Sequence, residues 1–382
     1  MKFLVLGAGL QGGACAHNLL QNPGVTLVTL ADAHPDQIPA FLTGLGDSRL
    51  APVAIDARDE AAVLATMRGH DAVLCALPYY FNEPMTRLAI EAGCHFADLG
   101  GNTEIVFEQK AHDQAAQAKG LSVIPDCGLA PGMVNILAAE GLRRIDKPES
   151  VRIYVGGLPQ QPEPPLNYQI VYSLEGALDY YATPSWVLRE GRRMEVDALS
   201  ELEKVEFPAP VGTLEAFHTG GGISTMPFAW EGKVRTMEYK TLRYPGHVAI
   251  MRPIRELGLI SNEPIDVKGV SVVPRDVFIA AVQPRLSKPE GRDLVALRVR
   301  VSGTHQGTPA SVSFQLLDYY DEERGISAMM RTTGYSLALT GLLQVQGEVM
   351  AQGVKTPDEA TPFGPYMAGL AGFGVKIEER VG

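Results

Sequence analysis

The chain has 382 residues, of which 46% are hydrophobic and 20% charged, and its formal net charge is −11. This length predicts two domains, and the composition is that of a soluble globular protein. The negative charge argues against a nucleic-acid groove or an anionic membrane surface, and no apolar run is long enough to span a bilayer. The four widely spaced cysteines fit neither a zinc site nor a disulfide framework, and the N-terminus lacks signal-peptide features. We therefore expect a cytoplasmic protein that binds no metal.

Short apolar runs alternate with helical patterns over the first 125 residues. The runs occupy residues 2–7, 25–32, 51–56, 71–77, 95–99 and 121–126. Strands that are apolar on both faces and separated by single helices indicate βαβ units and a parallel sheet. Residues 1–130 are therefore predicted to form a doubly wound dinucleotide-binding (Rossmann) domain.

The pattern changes after residue 130. A helix is predicted from Met133 to Ile145, and it is followed by segments with β-branched content or alternating polarity at 151–156, 196–199, 234–242, 294–302 and 311–320. Residues 131–326 are predicted to be an α+β substrate and dimerisation domain on a mostly antiparallel sheet. Residues 327–382 form a C-terminal segment that could pack back onto the first domain.

A glycine-rich turn follows the first predicted strand. In the Gly-x-Gly-x-x-Gly pattern, Gly7 would make the tight turn, Gly9 would let a pyrophosphate approach the backbone, and Gly12 would let helix and strand pack closely. Leu10 and Gln11 lie within the turn. A pyrophosphate would then sit at the helix N-terminus, where free N–H groups and the helix dipole favour negative charge.

Acidic and apolar strand ends extend the predicted cofactor site. Asp32 ends the second strand at the position where a carboxylate accepts hydrogen bonds from the adenosine ribose, and no arginine follows it, which predicts NAD rather than NADP. Asp56 could contact the adenine, or it could simply be solvated. Ala76, Leu77 and Pro78 end the fourth strand and are predicted to line the cofactor.

Four strings of residues resemble the saccharopine-dehydrogenase-like superfamily over essentially the whole chain. Besides the N-terminal turn, they are residues 95–102 (HFADLGGN), 128–132 (GLAPG) and the more specific 239–247 (YKTLRYPGH). Within the superfamily, the chain is most similar to the lysine 6-dehydrogenases. Ala130 replaces the aspartate found in the Gly-Leu-Asp-Pro-Gly string of the glutamate-forming saccharopine reductases, which indicates another substrate.

The resemblance implies oxidation of the ε-amine of L-lysine by NAD, with loss of ammonia and cyclisation of the aldehyde to piperideine-6-carboxylate. Such a reaction needs a neutral amine held over the nicotinamide and an activated water. The alternatives are a saccharopine- or carboxynorspermidine-type dehydrogenase and, in a different class, a non-catalytic nucleotide-binding protein. A homo-oligomer of two or more chains is expected.

Three residues within the 239–247 string are candidates for the substrate chemistry. Arg243 could hold the substrate carboxylate with its two-pronged guanidinium, and His247 has the intrinsic pKa of a proton-transfer group near neutral pH. Lys240 is a further catalytic candidate, or it could be solvated. Arg243 could instead be a salt-bridged surface residue, and His247 a helix cap or core contact.

The remaining candidates lie at the predicted domain junction and in a tyrosine-rich stretch. Asp98, at the end of the fifth strand, could hold the substrate amine or orient a water, with a helix N-cap as the alternative. Cys127 and Pro131 are predicted to line the cofactor, although a small buried thiol explains Cys127 equally well. Tyr168 belongs to a stretch with helical spacing and is assigned to the substrate, with packing in a core as the alternative.

Overall fold

The computed structural model describes residues 1–382, apart from the side chain of Gln37. The strands are β1 (Lys2–Leu6), β2 (Leu27–Asp32), β3 (Leu50–Ala54), β4 (Ala72–Cys75), β5 (His95–Asp98), β6 (Ser122–Ile124), β7 (Lys147–Pro159), β8 (Ser185–Arg189), β9 (Arg192–Val196), β10 (Glu203–Glu206), β11 (Thr213–His218), β12 (Thr236–Arg243), β13 (Ile265–Val267), β14 (Val270–Val272), β15 (Asp293–His305), β16 (Thr308–Tyr319), β17 (Gly353–Val354) and β18 (Glu378–Val381). The α-helices are α1 (Leu10–Leu20), α2 (Ala40–Thr43), α3 (Glu60–Met67), α4 (Asn82–Ala92), α5 (Thr103–Lys110), α6 (Asp113–Ala118), α7 (Met133–Arg144), α8 (Leu174–Ala182), α9 (Met226–Ala229), α10 (His247–Glu256), α11 (Pro274–Leu286), α12 (Ala328–Val345), α13 (Pro357–Ala360) and α14 (Phe363–Gly372).

The N-terminal domain is built on a seven-stranded parallel sheet in the order β17-β6-β5-β4-β1-β2-β3. The central strands β1 and β4 are apolar and buried on both faces, because helices cover both sides of the sheet. The strand order reverses between β1 and β4, and at such a point the carboxyl ends of the strands leave a crevice. The predicted doubly wound fold is confirmed.

The C-terminal segment completes this sheet. β17 pairs in parallel with β6, and α12 packs along α1, where a side chain at Gly334 would collide with the backbone of the first helix. Near the end of α12, the Gln344 amide donates to the carbonyls of Phe96 (2.8 Å) and Ser122 (3.0 Å). The segment is therefore an integral part of the cofactor-binding core.

The second domain is built on a nine-stranded sheet. Seven strands follow the order β10-β11-β12-β7-β15-β16-β18, and β8 pairs with both β12 and β9. The pair β12–β7 is parallel and the other pairs are antiparallel, so the predicted mostly antiparallel sheet is confirmed. Helix α7 packs on this sheet against β15, where Gly141 leaves room for Val301.

A smaller helical unit projects from the end of β12. It contains α10 and α11, with the two-stranded hairpin β13–β14 between them. None of the helices that the structure describes combines the length and apolar character needed to cross a membrane.

Candidate active site

The glycine turn has the geometry of a dinucleotide cradle. Gly7 has a φ of +94°, and an added Cβ there would lie 3.0 Å from the carbonyl oxygen of Ala76. A side chain at Gly12 would collide with the carbonyl of Gly7, whereas an added Cβ at Gly9 would meet no atom within 4 Å. The turn is therefore closed on its inner side and open on its outer side at the N-terminus of α1, where Leu10 is half exposed.

A pocket of about 160 Å³ lies at the ends of β2 and β3, and we call it the Asp32 pocket. The Asp32 carboxylate accepts hydrogen bonds from the backbone N–H of Ala8 (2.7 Å) and of His34 (2.9 Å), which fixes its orientation. Asp56 and Leu77 also line the pocket. The predicted carboxylate therefore lies beside an open space next to the glycine turn.

Asp56 is engaged by a neighbouring arginine. The Arg58 guanidinium donates to both carboxylate oxygens, at 2.9 Å and 2.6 Å, and these hydrogen bonds lower the pKa of Asp56 to about 2. Ala76 packs against the glycine turn rather than opening onto the pocket, and Pro78 is exposed beyond the end of β4. Of these strand-end predictions, Asp56 and Leu77 face the Asp32 pocket.

A cleft of about 230 Å³ separates the two domains, and we call it the central cleft. Its walls come from both domains, from the segment before α8 and from α12. The residues that line it are Gln11, Leu99, Gly100, Gly128, Leu129, Ala130, Pro131, Val155, Gly157, Tyr172, Ser173, Tyr180, Tyr239, Thr241, Arg243, Met329 and Thr333. Among these described lining residues, Arg243 is the only charged one, so any ionic contact with a ligand in the cleft falls to its guanidinium.

Arg243, at the end of β12, is a buried cation with spare hydrogen-bonding capacity. Its Nε donates to the Tyr181 hydroxyl (3.1 Å), its Nη1 donates to the Leu242 carbonyl (2.9 Å), and its guanidinium carbon lies 4.8 Å from the centre of the Tyr168 ring. The residue is 3% exposed, and among the described residues it has no carboxylate partner and no acceptor for Nη2. Because an unpaired buried charge is costly, this site is suited to receive an anionic group.

His247 does not face the cleft; it hydrogen-bonds the Tyr181 hydroxyl, which also binds Arg243. Its Nε2 lies 3.0 Å from the Tyr181 hydroxyl and its Nδ1 lies 3.1 Å from the Leu166 carbonyl. Because a carbonyl only accepts, Nδ1 carries the proton and Nε2 accepts from Tyr181. Burial and the nearby Arg243 cation lower the pKa of His247 to about 3. The assignment of His247 as the catalytic base is therefore corrected: it is a neutral, fully buried positioning residue.

Asp98 is also buried away from the cleft, which corrects its assignment to substrate or catalysis. Its carboxylate accepts from the backbone N–H groups of Gly100 (2.7 Å) and Asp126 (3.1 Å) and from the Gln109 amide (2.7 Å). These bonds fix the loop after β5, which carries Leu99 and Gly100 to the cleft wall. Burial raises the pKa of Asp98 to about 6.

The neighbouring Asp126 is a buried acid that was not among the predicted site residues. Its backbone has a φ of +65°, and its carboxyl group packs directly on Gly100. Burial, together with the nearby charge of Asp98, raises the pKa of Asp126 to about 8. Asp126 is therefore largely protonated at neutral pH, directly behind the cleft wall.

Lys240 points to the opposite face of its strand. Side chains alternate along β12, so Tyr239, Thr241 and Arg243 face the cleft while Lys240 faces away. Its Nζ donates to the Glu201 carbonyl (2.8 Å) and to Glu203 Oε1 (2.9 Å). The assignment of Lys240 as a catalytic residue is therefore corrected, because its ammonium group forms a structural ion pair with Glu203.

The same outer face carries a cluster of titratable side chains. Ligand atoms of Glu201, His218 and Glu238 lie within 4.8 Å of one another. Nη2 of Arg189 donates to both carboxylates at 2.8 Å, so an arginine already supplies the positive charge at the centre of the cluster.

Of the last three predicted residues, one lines the cleft and two pack behind its wall. Pro131 lines the cleft. Cys127 is 1% exposed and donates its thiol to the Ile124 carbonyl (3.1 Å), so its assignment to the cofactor is corrected to core packing. Tyr168 lies in the segment before α8, not in a helix, and supports Arg243 with its ring instead of lining the cleft.

Several residues that line the cleft were not among those predicted from the sequence. Tyr239 and Thr241 share a strand face with Arg243, so the two-residue period of β12 could have identified them. Tyr180, Met329 and Thr333 come from α8 and α12, and no local signal in the sequence relates those helices to β12. Their contribution depends on the tertiary fold.

A parallel sheet with a glycine cradle, joined to a second sheet across a largely apolar cleft with one buried cation, defines a two-domain dinucleotide-binding protein. Residues 3–124 match the family model described as the saccharopine dehydrogenase NADP binding domain, and residues 128–375 match the saccharopine dehydrogenase C-terminal domain. The chain therefore belongs to the saccharopine dehydrogenase family, whose members are NAD(P)-dependent oxidoreductases acting on C–N bonds. The predicted superfamily is confirmed.

Three curated relatives illustrate the range of this family. The mouse mitochondrial alpha-aminoadipic semialdehyde synthase is 23% identical over 98% of this chain, which spans 47% of that protein. The fission yeast (Schizosaccharomyces pombe) saccharopine dehydrogenase [NADP(+), L-glutamate-forming] is 21% identical over 93% of each chain. Carboxyaminopropylagmatine dehydrogenase from Synechocystis is 23% identical over 100% of this chain and 98% of its own. This chain thus spans about half of the mouse relative and nearly all of the other two.

Solved structures show the same fold. The apo saccharopine dehydrogenase (L-Glu forming) of Saccharomyces cerevisiae has a TM-score of 0.79 at 19% identity and covers 100% of this chain and 99% of its own. Homospermidine synthase from Legionella pneumophila has a TM-score of 0.69 at 10% identity, over 99% and 91% of the two chains. At these identities the likeness concerns the fold alone.

Proposed function

We propose that the protein is an NAD-dependent lysine 6-dehydrogenase. Hydride transfer from the ε-carbon of L-lysine to NAD would leave an iminium, which water converts to ammonia and an aldehyde that cyclises to piperideine-6-carboxylate. The observation that carries this proposal is the single charged group of the central cleft. Arg243 matches the one carboxylate of lysine, whereas saccharopine carries three carboxylates and would leave two without a cationic partner among the described lining residues.

The residues around the turn fit a bound dinucleotide. The open side of the glycine turn accommodates a pyrophosphate, and the Asp32 carboxylate can accept hydrogen bonds from a ribose. The side-chain amide of Gln11 lines the cleft with neither its nitrogen nor its oxygen paired to a described residue, so it could bind the nicotinamide carboxamide. Bound NAD would supply the hydride acceptor.

We propose NAD in preference to NADP because of Asp32. A carboxylate at the ribose would repel a 2′-phosphate, although the matching family model is described as NADP binding and the fission yeast relative is named for NADP(+). Arg58, which follows the pocket residue Ala57 in the chain, is paired with Asp56.

The cleft orients the amine with neutral groups. The Tyr239 and Thr241 hydroxyls lie 3.4 Å apart on the wall beside Arg243, and burial raises the pKa of Tyr239 so that it stays protonated. Among the described lining residues there is no carboxylate, imidazole or lysine amine to remove a proton from the substrate. We therefore propose that lysine reacts as the fraction whose ε-amine is already neutral, and that the hydroxyls position this amine and the attacking water.

A substrate screen tests the proposal. We expect L-lysine to support NADH formation, and we expect L-norleucine, which has the same carbon chain without the ε-amine, to support none. Saccharopine and carboxynorspermidine complete the panel, each with NAD and with NADP. Preferential turnover of saccharopine would contradict the proposal. Tight NAD binding without turnover of any compound would support a non-catalytic nucleotide-binding protein instead.

A second candidate is a dehydrogenase of carboxyalkyl polyamines. It shares the one-carboxylate requirement, and the Synechocystis relative named for such a compound matches over the full length of both chains. A cavity of about 240 Å³ also has Tyr180 in its lining, together with Glu104 and Glu195, where a cationic tail could extend; Asp179 in the same lining is already paired with Arg275. Turnover of carboxynorspermidine in the screen, with none of lysine, would favour this candidate.

A further inference from the structure

A second cavity, which we call the Tyr168 cavity, lies outside the central cleft. Its volume is about 530 Å³, larger than the cleft, and its walls are the end of β7, the segment before α8, the loop before β15 and the segment after β16. The Tyr168 ring stands between this cavity and Arg243. None of the chemistry proposed above uses this space.

Two neighbouring polar side chains of the Tyr168 cavity make no side-chain hydrogen bond to a described residue. The Tyr168 hydroxyl is buried, and it has no hydrogen-bond partner among the described residues. Gln169 is 7% exposed, its amide oxygen packs against the backbone of Gly291, and its amide makes no side-chain hydrogen bond to another described residue. Buried polar groups are normally hydrogen-bonded, so the unpaired Tyr168 hydroxyl, next to a Gln169 amide that makes no side-chain hydrogen bond, indicates a polar ligand at this cavity wall.

The charges around the cavity are of both signs. Lys288 pairs with Glu163 (2.7 Å) and Arg292 pairs with Glu322 (2.7 Å), and all four residues are at least one-third exposed. Exposed ion pairs of this kind contribute little to the free energy of folding. A ligand's charged groups can therefore replace one member of each pair with little loss of stability. Cations and carboxylates placed on facing walls suit a molecule that itself carries one charge of each sign.

We propose that the Tyr168 cavity is a second ligand site, separate from the central cleft, that binds a free α-amino acid in its zwitterionic form. The ligand carboxylate would pair with Lys288 or Arg292, and its ammonium with Glu163 or Glu322. Its remaining hydrogen-bonding groups would satisfy Tyr168 and Gln169. The site does not depend on the chemistry proposed for the cleft.

Calorimetric titration with L-norleucine tests this site, because norleucine has the amino-acid head group but cannot be oxidised at an ε-amine. We expect one norleucine site per chain to be lost or weakened about tenfold in Gln169→Leu, in which the side chain keeps its size but loses its hydrogen-bonding atoms. The control Gln283→Leu makes the same change on an exposed face of α11 and should retain the site. N-acetylnorleucine and norleucine amide, each lacking one charge, should bind at least about tenfold more weakly than norleucine.

The two ligand sites can be told apart. A norleucine site that responds to Arg243→Lys but not to Gln169→Leu is the cleft, and a site with the opposite response is the Tyr168 cavity. If the proposed lysine chemistry is wrong, the cavity site should remain. If Gln169→Leu does not fold, Arg292→Met serves as the second variant. Norleucine binding that neither variant changes, or the absence of binding, would overturn the proposal.

Discussion

The carboxylate-binding role of Arg243 can be tested by the conservative substitution Arg243→Lys. Lysine keeps the positive charge but replaces a planar two-pronged donor with a single ammonium. In this structure the change would also remove the hydrogen bond from Nε to the Tyr181 hydroxyl (3.1 Å) and the stacking on the Tyr168 ring (4.8 Å).

The magnitude follows from the number of hydrogen bonds to the substrate. A guanidinium can give a carboxylate two parallel charge-assisted bonds, and losing one costs about 1.5–3 kcal/mol. We therefore expect kcat/KM for lysine to fall roughly ten- to a hundredfold. Because the cofactor does not contact this group in our proposal, KM for NAD should change little.

The assay is initial-rate NADH formation over a range of lysine concentrations. Arg235→Lys is the matched control, since Arg235 is an exposed arginine at which the same substitution should have little effect. Catalytic efficiency of Arg243→Lys within about twofold of the control would refute the assignment and return Arg243 to a structural role.

Four further outcomes follow from the structure. The wild type should prefer NAD over NADP by about tenfold or more in kcat/KM, and Asp32→Ala should erode that preference; equal use of both cofactors would contradict the role of Asp32. The activity with lysine should rise with pH toward the pKa of the substrate amine, ~10.4, with no inflection near ~6.5. The variant His247→Gln should raise KM for lysine and leave the shape of this pH profile intact. An inflection near neutral pH in the wild type that disappears in the variant would restore His247 as a base. The free energy of unfolding should fall as pH rises from 3.8 to about 8, because the carboxyl of Asp126 ionises at lower pH in the unfolded chain than in the folded protein. Urea titrations at several pH values should show a shallower fall for Asp126→Asn. An equal dependence of the unfolding free energy on pH in both proteins would count against this role. Gln344→Leu should lower the free energy of unfolding by about 1–3 kcal/mol because two buried carbonyls lose their donor, and a loss below about 0.5 kcal/mol would be too small for this role.

The sequence predicted the cofactor-binding half better than the substrate half. The glycine spacing and the acid at the end of β2 are local features, because a turn and the strands beside it bring these residues together without help from distant segments. Their geometry is therefore encoded within about thirty residues, as in other domains of this type.

Two of the three candidates from the 239–247 string were wrong for a local geometric reason. Lys240, Arg243 and His247 are close in sequence, but strand alternation sends Lys240 to the outer face, and the start of α10 turns His247 into the core behind Tyr181. Residue type suggested two catalytic groups and a carboxylate binder, whereas the strand period excludes Lys240 and keeps Arg243 on the cleft face. Asp98 is buried and its carboxylate binds the backbone of the loop after β5. The hydroxyl groups that do line the cleft include those of Tyr180 and Thr333, which come from helices far away in the chain.

The contribution of α12 and β17 to the first sheet also affects the order in which the protein can fold during synthesis. Gln344 and its partner Ser122 are 222 positions apart, so the ribosome releases the whole second domain before the cofactor domain can be completed. Until then the edge of β6 is unpaired and the apolar surface under α12 is open to water. An unpaired edge beside an apolar surface favours association between chains. Nascent chains stalled before residue 328 should therefore depend on chaperones more than the finished protein does.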